Sequence, residues 1–447
     1  MRGGYMKIKP VNPGGFRDYS PEEMIFREEV LATIKAVYEK YGFVPLDTPC
    51  VELAEVLLGE NKEIDKQIFY LRLADEEDRL TLRYDLTVPL ARYVAANLDN
   101  LTLPFKRYQI GEVFRGEKPQ AGRYRQFKQF DADIIGSSSM IADAEIIMMM
   151  AEALSSLKIK KFIIKINNRK VLDGLAKKNG LKNDEIAKKF FRILDKLSKI
   201  GEEEIKNFFK EELKMSQLTG EEIINFLKID GKDLEKIEKA STVLNGEKIG
   251  EEGLRELTDL TRYLQSMGVS SDLYQLDFSI ARGLDYYTGT VFEAYLLDLP
   301  QIGSVMSGGR FDDLISRFSP RDLPAVGASI GLDRLFAAME KLKIVQPSPV
   351  LTEVMVTNLE KDQESLYLSL VANLRREGIK TEIYFGKEES LRGQIGYANR
   401  KRIPIVIIIG ENERKKEEAL IKDMRFGKQE PALLKEIIEA IKERLKK

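Results

Sequence analysis

Residues 111–133 combine arginine, lysine, glutamine and carboxylate side chains at a spacing that could bind an anionic ligand. The stretch reads GEVFRGEKPQAGRYRQFKQFDAD, with a predicted turn at 119–122 between two segments that read as strands. Such a hairpin has a cationic tip, formed by Arg115, Arg123 and Arg125, and a planar guanidinium group can pair with a phosphate through two hydrogen bonds. These residue types indicate a site for a nucleoside triphosphate beside a small polar substrate.

The second strand of this hairpin separates polar from apolar side chains, because alternate residues of a strand face opposite sides. Gln129, Asp131 and Asp133 share one face, and the residues between them are apolar. Gln129 and Asp133 would lie roughly 13 Å apart along the strand and could bracket a small molecule. A charged surface hairpin is the alternative, but unpaired charges in a central strand would be costly, which favours a binding site.

A second group of polar residues lies at 282–293, RGLDYYTGTVFE. Tyr286 and Tyr287, placed between glycines and preceded by Arg282, would line a compact pocket with two hydroxyl groups and one cation. An ordinary glycine-kinked loop is the alternative, and the segment alone does not exclude it.

Two shorter segments add further polar groups. Small residues at 307–309 and 327–331 allow close backbone approach, and Arg334 would project from the following helix toward a phosphate, although this pattern by itself is weak evidence. In the segment LRYDLT, Asp85 and Thr87 could bind an ammonium group.

The composition restricts the chemistry open to the chain. Its 447 residues include no histidine and one cysteine, Cys50. Disulfides within the chain, cysteine–histidine zinc sites and imidazole-based catalytic triads are therefore excluded. Any metal would need oxygen ligands, which favours Mg²⁺. Catalysis would rely on a nucleophile that is already ionised, or on positioning and charge stabilisation.

Charge and hydropathy favour a cytoplasmic protein without a membrane partner. Lys and Arg number 71 and Asp and Glu 72, so the net charge gives no argument for nucleic acid, although a local basic surface could still form. The longest apolar run, 403–409, is too short to span a bilayer. The first ten residues lack the apolar core of a signal peptide.

Periodicity predicts an α+β fold. Ser20, Pro21 and Glu23 form the start of a helix that runs to Tyr41. Strand-like segments follow at 43–48, 80–84, 105–114, 125–135, 162–167, 273–280, 290–297 and 302–307. Because several are joined by turns rather than helices, the expected core is a large antiparallel sheet flanked by helices.

Shifts in composition predict the domain organisation. Residues 1–345 would form the main domain, with a helical insertion at about 179–266, where Lys, Glu, Ile and Leu recur at helical spacing. The segment 346–351 reads as a linker because it begins QPSP. Strand–helix alternation over 352–447 predicts a small α/β domain.

Together these segments resemble the histidyl-tRNA synthetase family of class II aminoacyl-tRNA synthetases. The helix at 21–41 with the strand ending at Pro49 is similar to the first class II motif, residues 113–133 to the second, and residues 327–334 to the third. RGLDYYTGTVFE is similar to a segment specific to this family and its relatives, and the domain after residue 349 resembles the anticodon-binding domain. The resemblance covers nearly the whole chain and is weakest in the helical insertion.

The resemblance implies ATP-dependent attachment of L-histidine to tRNA(His) through a histidyl-adenylate, with release of AMP and diphosphate. It also implies a bent ATP bound with Mg²⁺ and a homodimer built through the first motif. The implied catalytic residues are Arg115 and Arg282, on two sides of the α-phosphate. The implied ATP-binding residues are Arg115, Glu117 at the adenine, and Arg123 and Arg334 at the outer phosphates.

The implied histidine-binding residues divide by the group that they would recognise. They are Asp85, Thr87 and Gln129 for the amino group, and Asp133, Tyr286 and Tyr287 for the imidazole. A buried site that pairs both ring nitrogens rejects side chains that lack them. The substrate carboxylate is ionised at pH 7 and needs no base to attack, which is compatible with a chain that has no histidine.

Some positions depart from the commonest pattern of the family. Gly116 stands where a bulkier residue is usual, and Lys118 where arginine is usual, in the loop that would meet the tRNA acceptor end. Asp85 and Asp133 stand in place of glutamate, as in archaeal and eukaryotic members.

Two non-catalytic relatives are the alternatives. A regulatory subunit of the first enzyme of histidine biosynthesis lacks the C-terminal domain that is predicted here. A synthetase-like domain that senses uncharged tRNA tends to lose the motif arginines and the tyrosine pair, which this chain retains. The catalytic interpretation is therefore favoured.

Overall fold

The computed structural model describes residues 9–58, 65–72, 79–119, 123–181, 183–281, 286–344 and 350–446. They form two compact units, one of residues 31–344 with 9–18, the other of residues 350–446 with 19–30. Three predicted features lie at least partly outside the described residues: the tip of the 119–122 turn, Arg282, and most of the 346–351 linker.

The elements before residue 345 are those expected for a mixed α and β unit. The strands are β1 (Val44–Pro45), β2 (Val51–Leu53), β3 (Tyr70–Leu71), β4 (Leu80–Leu82), β5 (Phe105–Phe114), β6 (Gln126–Ile135), β7 (Phe162–Asn168), β8 (Tyr274–Leu276), β9 (Thr290–Leu296), β10 (Ser304–Arg310) and β11 (Ala325–Gly331). The helices are α1 (Pro21–Lys40), α2 (Ala54–Leu58), α3 (Thr87–Asn97), α4 (Met140–Ser156), α5 (Arg169–Lys178), α6 (Asp184–Leu194), α7 (Leu197–Ile200), α8 (Glu202–Leu213), α9 (Gln217–Leu227), α10 (Asp233–Leu244), α11 (Lys248–Ser266) and α12 (Leu332–Lys341).

This unit contains an eight-stranded sheet with the strand order β1-β5-β6-β11-β10-β9-β7-β8. Its pairs are antiparallel except for β1 with β5 and β7 with β8, which are parallel. Strands β2, β4 and β3 form a separate three-stranded sheet. The predicted α+β fold with a large, mainly antiparallel sheet is confirmed.

Local signals located the long elements well. The Ser20 hydroxyl accepts a hydrogen bond from the Glu23 amide at 3.2 Å, and the Ser20 amide donates to the Glu23 carboxylate at 2.8 Å, so the predicted capping box starts α1. The β5–β6 hairpin matches its prediction within one residue. The short strands were predicted too long, because side chains outside the ladder, such as Arg83 and Phe278, are buried as strand residues would be.

Strand β11 was not predicted as a strand. Its sequence, AVGASIG, is rich in small residues with low strand propensity, and it was interpreted only as the lead into a helix. It nevertheless lies between β6 and β10 at the centre of the sheet. A Cβ atom on Gly308 of β10 would come within 2.1 Å of the Gly327 carbonyl oxygen, so this pairing requires glycine.

The helices pack on the sheet and on one another. Helix α4, capped by Ser139, is buried along much of its length and packs against β10, β11 and α11. Residues 183–266 form helices α6 to α11, where a helical insertion was predicted. Fully buried phenylalanines fill part of its core, with the rings of Phe190 and Phe209 stacked at 5.5 Å.

The second unit contains a five-stranded sheet in the order β13-β12-β14-β15-β16. Its strands are β12 (Val354–Val356), β13 (Thr381–Ile383), β14 (Ile405–Ile408), β15 (Glu418–Asp423) and β16 (Lys428–Leu433), and its helices are α13 (Glu364–Arg376), α14 (Leu391–Lys401), α15 (Glu411–Lys415) and α16 (Ile437–Leu445). Helix α14 is continuous despite two glycines, and its buried Gln394 makes hydrogen bonds to both backbone groups of Asn358.

None of the helices in the described ranges is both long enough and apolar enough to cross a membrane.

Candidate active site

A cavity of about 1150 Å³ lies over the central strands of the large sheet. Each described residue that the sequence assigned to the site lines it: Asp85, Thr87, Arg115, Glu117, Arg123, Gln129, Asp133, Tyr286, Tyr287 and Arg334. These residues come from four separate segments of the chain. Arg282, the remaining predicted site residue, lies outside the described residues.

Arg115 is held at the end of β5 by aromatic rings. Its guanidinium carbon lies 4.3 Å from the centre of the Tyr84 ring and 5.1 Å from that of Phe127. Its Nε donates to the Tyr84 carbonyl oxygen at 3.2 Å. Stacking and one backbone contact fix the plane of the guanidinium, so the two terminal nitrogens are oriented in advance for an anion.

The other cations of the cavity lie at different depths. Arg123 is half exposed at the rim, with its Nη1 3.9 Å from a carboxylate oxygen of Glu117. Arg334, in the first turn of α12, donates from Nη1 to the Ser304 carbonyl at 2.6 Å. Arginine side chains thus line the cavity at several points, as binding a polyphosphate would require.

Gly116, which departs from the family pattern, has a local structural reason. Its amide donates to the Gln67 carbonyl oxygen at 2.7 Å, and a Cβ atom at this position would lie 3.1 Å from the same oxygen. The strand end and the 65–72 segment therefore approach more closely than a larger residue would readily allow.

The polar face of β6 forms the acidic part of the cavity. Gln129, Asp131 and Asp133 are all buried and all line it. The Gln129 amide nitrogen donates to the Ser329 hydroxyl at 2.6 Å. Among the described residues, Gln129 Oε1, Asp131 Oδ1 and Asp133 Oδ2 accept no hydrogen bond of good geometry, but Asp133 Oδ2 is 2.7 Å from Arg107 Nη2 and so is ion-paired. Asp131 was placed on this face from the sequence but was given no role there.

Arg107 of β5 supports Asp133 from beneath and was missed by the sequence analysis. It is 0% exposed, and its Nη2 lies 2.7 Å from Asp133 Oδ2 while also donating to the Leu86 carbonyl. The two residues are directly opposite each other in the β5–β6 ladder. Counting the hairpin register outward from the turn could have found this pair, because opposite charges facing across a ladder attract.

Gly327 of β11 holds Asp133 from the other side. It is the register partner of Asp133, and a Cβ atom on it would lie 1.9 Å from Asp133 Oδ1. No side chain larger than hydrogen fits at this position with the carboxylate where it is. Asp133 is therefore fixed between a cation on one neighbouring strand and bare backbone on the other.

Asp85 has a structural task in addition to its place in the cavity. Its Oδ1 accepts from the amides of Thr87 and Val88, at 3.1 and 2.9 Å, at the start of α3. Burial raises the pKa of this carboxyl, and the two amides act in the opposite direction. Part of its charge is thus already engaged by the helix N-terminus.

Tyr286 and Tyr287 form a pair above the acidic face. The Tyr286 hydroxyl donates to the Tyr287 hydroxyl at 3.1 Å, and the ring centres are 4.4 Å apart. Burial raises the pKa of the Tyr287 hydroxyl well above its usual range, and the charges of Asp133 and Asp131 act in the same direction. The hydroxyl therefore stays protonated at neutral pH and is able to donate a hydrogen bond.

Helix α5 and the start of the helical insertion also line the cavity, which the sequence did not indicate. Arg169 and Asp173 of α5, Lys188 of α6 and Asp195 line it. Arg169 stacks on the Phe191 ring at 3.8 Å and its Nε donates to Asp173 at 3.0 Å.

By contrast, Arg310 in the predicted glycine-rich segment is buried and bound to Asp143, Asp312 and two backbone carbonyls. We interpret its role as structural.

Two neighbouring carboxyl groups in the cavity carry raised pKa values. Burial raises the pKa of Asp131 from its ordinary value of 3.8 to about 7 and that of Asp133 to about 6, with Arg107 opposing both shifts. A carboxyl whose pKa is raised on folding destabilises the folded state where it is ionised. This cost is absent near pH 4, grows as the pH rises and is complete above about pH 7 for Asp131.

We therefore expect Asp131→Asn to be more thermostable than the parent chain at pH 8. The midpoint of unfolding should rise by about 2–4 °C or more, since the variant has no charge to bury. The difference should shrink toward zero as the pH is lowered to about 4, because both side chains are then neutral. Calorimetric melting of both chains without ligands over this range would test this, and a difference that does not change with pH would contradict it.

Comparison with known proteins gives one consistent result. The profile described as Histidyl-tRNA synthetase matches residues 15–335, and the profile described as Anticodon binding domain matches residues 353–444. A histidine–tRNA ligase of Wolinella succinogenes is 42% identical over 431 residues, which is 95% of this chain and 96% of that protein. One of Clostridium tetani is 41% identical over 441 residues, covering 97% and 98%.

A solved structure agrees with this result. The crystal structure of histidyl-tRNA synthetase from Nostoc sp. PCC 7120 is 35% identical, superposes with a TM-score of 0.88, and is matched over 98% of this chain and 100% of that one. The matched profile covers most of the chain, and the relatives are similar from end to end. The chain belongs to the histidyl-tRNA synthetase family.

Proposed function

We propose that this chain attaches L-histidine to tRNA(His) in two steps at the cavity over the central sheet. The observation that carries the proposal is the joining, in one cavity, of a stacked Arg115 with the acidic face that contains Asp133. The part of the cavity around Arg115 suits a triphosphate. The acidic face suits a small substrate that is cationic or donates hydrogen bonds. The non-catalytic alternative has no observation in its favour.

In the first step the ionised carboxylate of histidine would attack the α-phosphorus of ATP. A carboxylate–phosphate bond forms, the bond to the β-phosphate oxygen breaks, and diphosphate leaves. Negative charge grows on the oxygens around the α-phosphorus, where Arg115 would stabilise it, together with Arg282 from the opposite side as the family resemblance implies. In the second step a terminal ribose hydroxyl of tRNA would attack the acyl carbon, and AMP would leave.

ATP would bind where the cationic side chains Arg115, Arg123 and Arg334 line the cavity. Glu117 would accept from the adenine amino group, and Arg123 and Arg334 would hold the outer phosphates. In the described ranges no three acidic or cysteine side chains cluster closely enough to hold a metal by themselves. Mg²⁺ is commonly held by one or two carboxylates together with substrate phosphates. The buried, cavity-lining Glu293 is our candidate for such a carboxylate, and Mg²⁺ would offset the charge of the triphosphate.

Histidine binding would use the acidic face and the tyrosine pair. Asp133 would accept from one ring nitrogen, while Tyr287, supported by Tyr286, would donate to the other. This pairing suits a neutral imidazole, which has one donor and one acceptor. Asp85, Thr87 and Gln129 would lie at the amino group.

The expected macromolecular partners are tRNA and a second copy of the chain. We propose that residues 352–447 read the tRNA anticodon and that residues 346–351 link this domain to the catalytic one, 1–345. We further propose that two chains pair through α1 and β1. Large exposed apolar side chains, Val44 in β1 and Val51 and Leu53 in β2, support this pairing. A cytoplasmic location follows from the role in protein synthesis.

We expect diphosphate exchange into ATP to require histidine and no other amino acid. The assay measures the first step alone, so it needs no tRNA. Run with each of the twenty amino acids, it should give a signal above background for histidine only. Exchange with a different amino acid would refute the assigned substrate, and no exchange with any would favour the non-catalytic alternative.

A further inference from the structure

Three carboxyl groups of the cavity, those of Asp85, Asp131 and Asp133, lie close enough for the charge of one to raise the pKa of another, and two of them are already engaged by the protein. Asp133 is paired with the buried Arg107, Nη2 to Oδ2, at 2.7 Å. Asp85 accepts two backbone amides at the start of α3. Their charges are thus offset, at least in part, before any substrate binds.

Asp131 is the exception. Its side chain is 2% exposed, it lines the cavity, and its Oδ1 has no hydrogen-bond partner among the described residues. Ser329 lies opposite it on β11 and acts on its pKa as a hydrogen-bond donor. One oxygen is therefore left for a ligand. Arg107 offsets part of the charge of Asp131, but Arg107 is already paired with Asp133. The unpaired oxygen of Asp131 therefore stays costly, which indicates that a bound cation completes this site.

Amino-acid substrates carry one cation that needs a carboxylate, the α-ammonium group. We propose that Asp131 is the carboxylate that binds the α-ammonium group of the substrate amino acid and makes the site select α-amino acids. This inference rests on the proposed function, which makes histidine the substrate. It assigns to Asp131 the charge contact that Asp85 alone was expected to make.

Asp131 lies between Gln129 and Asp133 on the polar face of β6. The charge of Asp85 acts on Asp131, Asp133 and Tyr286, whereas that of Asp133 acts on Asp131 and Tyr287. Asp131 thus lies near both the proposed amino-group end and the proposed imidazole end. Since Asp133 is held toward Arg107 and the imidazole end, the ammonium group is the substrate group left for Asp131.

Contact between Asp131 and the ammonium group should be accompanied by the release of a proton from Asp131. The titratable and charged groups that interact with Asp131 are Asp133 of β6, Arg107 of β5, Asp85 before α3 and the Tyr286–Tyr287 pair, and the Ser329 hydroxyl donates to it. The charge of Asp131 also raises the pKa of Tyr38 in α1. With the cavity empty the pKa of Asp131 is about 7, so near neutral pH it is partly protonated. A bound ammonium group would lower that pKa, and Asp131 would release its proton.

The test compares histidine with imidazolelactate, in which a hydroxyl group replaces the ammonium group. Calorimetric titration of the parent chain and of Asp131→Asn with both compounds forms a cycle. We expect the variant to bind histidine about ten- to a hundredfold more weakly, the loss typical of a hydrogen bond to a charged group. Its affinity for imidazolelactate should change by less than about threefold.

Asp313→Asn is the matched control, because Asp313 lines the same cavity but is exposed at its edge. It should leave the preference for histidine unchanged. An equal loss of both ligands in Asp131→Asn would overturn the proposal by placing Asp131 at the ring, and no loss of either would also overturn it. An equal shift in Asp313→Asn would assign the effect to the overall charge of the cavity and would overturn the specific contact.

A second measurement needs only the parent chain, and so remains decisive if the variant does not fold. Titrations at pH 7 in buffers of different ionisation enthalpy count the protons released. After subtraction of the ring proton that each free ligand carries at pH 7, histidine should release more protons on binding than imidazolelactate does, and equal release would overturn the proposal. If the parent chain does not bind histidine at all, the proposed function itself fails; if it binds histidine but neither comparison shows a difference, only the role of Asp131 fails.

Discussion

Replacing Arg115 with alanine should slow histidine-dependent diphosphate exchange about a hundred- to a thousandfold, the usual loss when one transition-state donor is removed. The guanidinium is fixed by the Tyr84 and Phe127 rings and by one bond to the Tyr84 carbonyl oxygen. It would therefore not need to reorganise as charge develops on the α-phosphate. Because it is not part of the buried core, its loss should change catalysis much more than folding.

Arg317→Ala is the matched control for this prediction. Arg317 lines the same cavity, but it is exposed, and its Nη2 donates to the Val56 carbonyl oxygen at 3.3 Å. Removing an exposed charge of this kind should change exchange by less than about tenfold. Unchanged exchange in Arg115→Ala, or equal losses in both variants, would refute a special role for Arg115. The family resemblance predicts a loss for Arg282→Ala as large as that for Arg115→Ala.

The second large effect is expected at a residue that has no functional group. Gly327→Ala would place a Cβ atom 1.9 Å from Asp133 Oδ1 and 2.8 Å from the Ala132 carbonyl oxygen. Something must move, and the carboxylate is the side chain in the way. We expect histidine affinity to fall about a hundredfold, equivalent to about 2.7 kcal/mol, with ATP affinity nearly unchanged.

Gly331→Ala provides the matched control on the same strand. A Cβ atom there would meet only Arg334 Cβ, at 4.0 Å, so both affinities should stay close to those of the parent chain. Titration of each variant with histidine and with ATP separately would measure the two effects. Parent-like histidine binding in Gly327→Ala would show that Asp133 does not position the ligand.

Asp133→Ala is a less specific test than Gly327→Ala. The substitution should abolish histidine binding and leave ATP binding unchanged. It would also leave the fully buried Arg107 without its carboxylate partner. Breaking a buried pair from one side costs about 3–5 kcal/mol of folding stability. A loss of activity in this variant must therefore be read together with its melting temperature.

Features encoded by neighbours in sequence were predictable. The capping box of Ser20 and Glu23, the β5–β6 hairpin and the polar face of β6 each depend on residues a few positions apart or on a simple period of two. Motif resemblance added the candidate site residues, and every described one lines a single cavity. That they come together in space is established, whereas their individual roles stay predictions.

The sequence by itself determined the fold class, the family, and which residue types a site would contain. Only the tertiary structure decided that Arg107 neutralises Asp133, that Gly327 leaves room for it, and that Asp131 keeps an unpartnered oxygen. These facts depend on the register of β6 with β5 and with β11, and β11 lies almost two hundred residues further along the chain. Charge balance in a buried site depends on such non-local neighbours, because desolvation makes every unpaired group costly, and no local pattern records which neighbour is present.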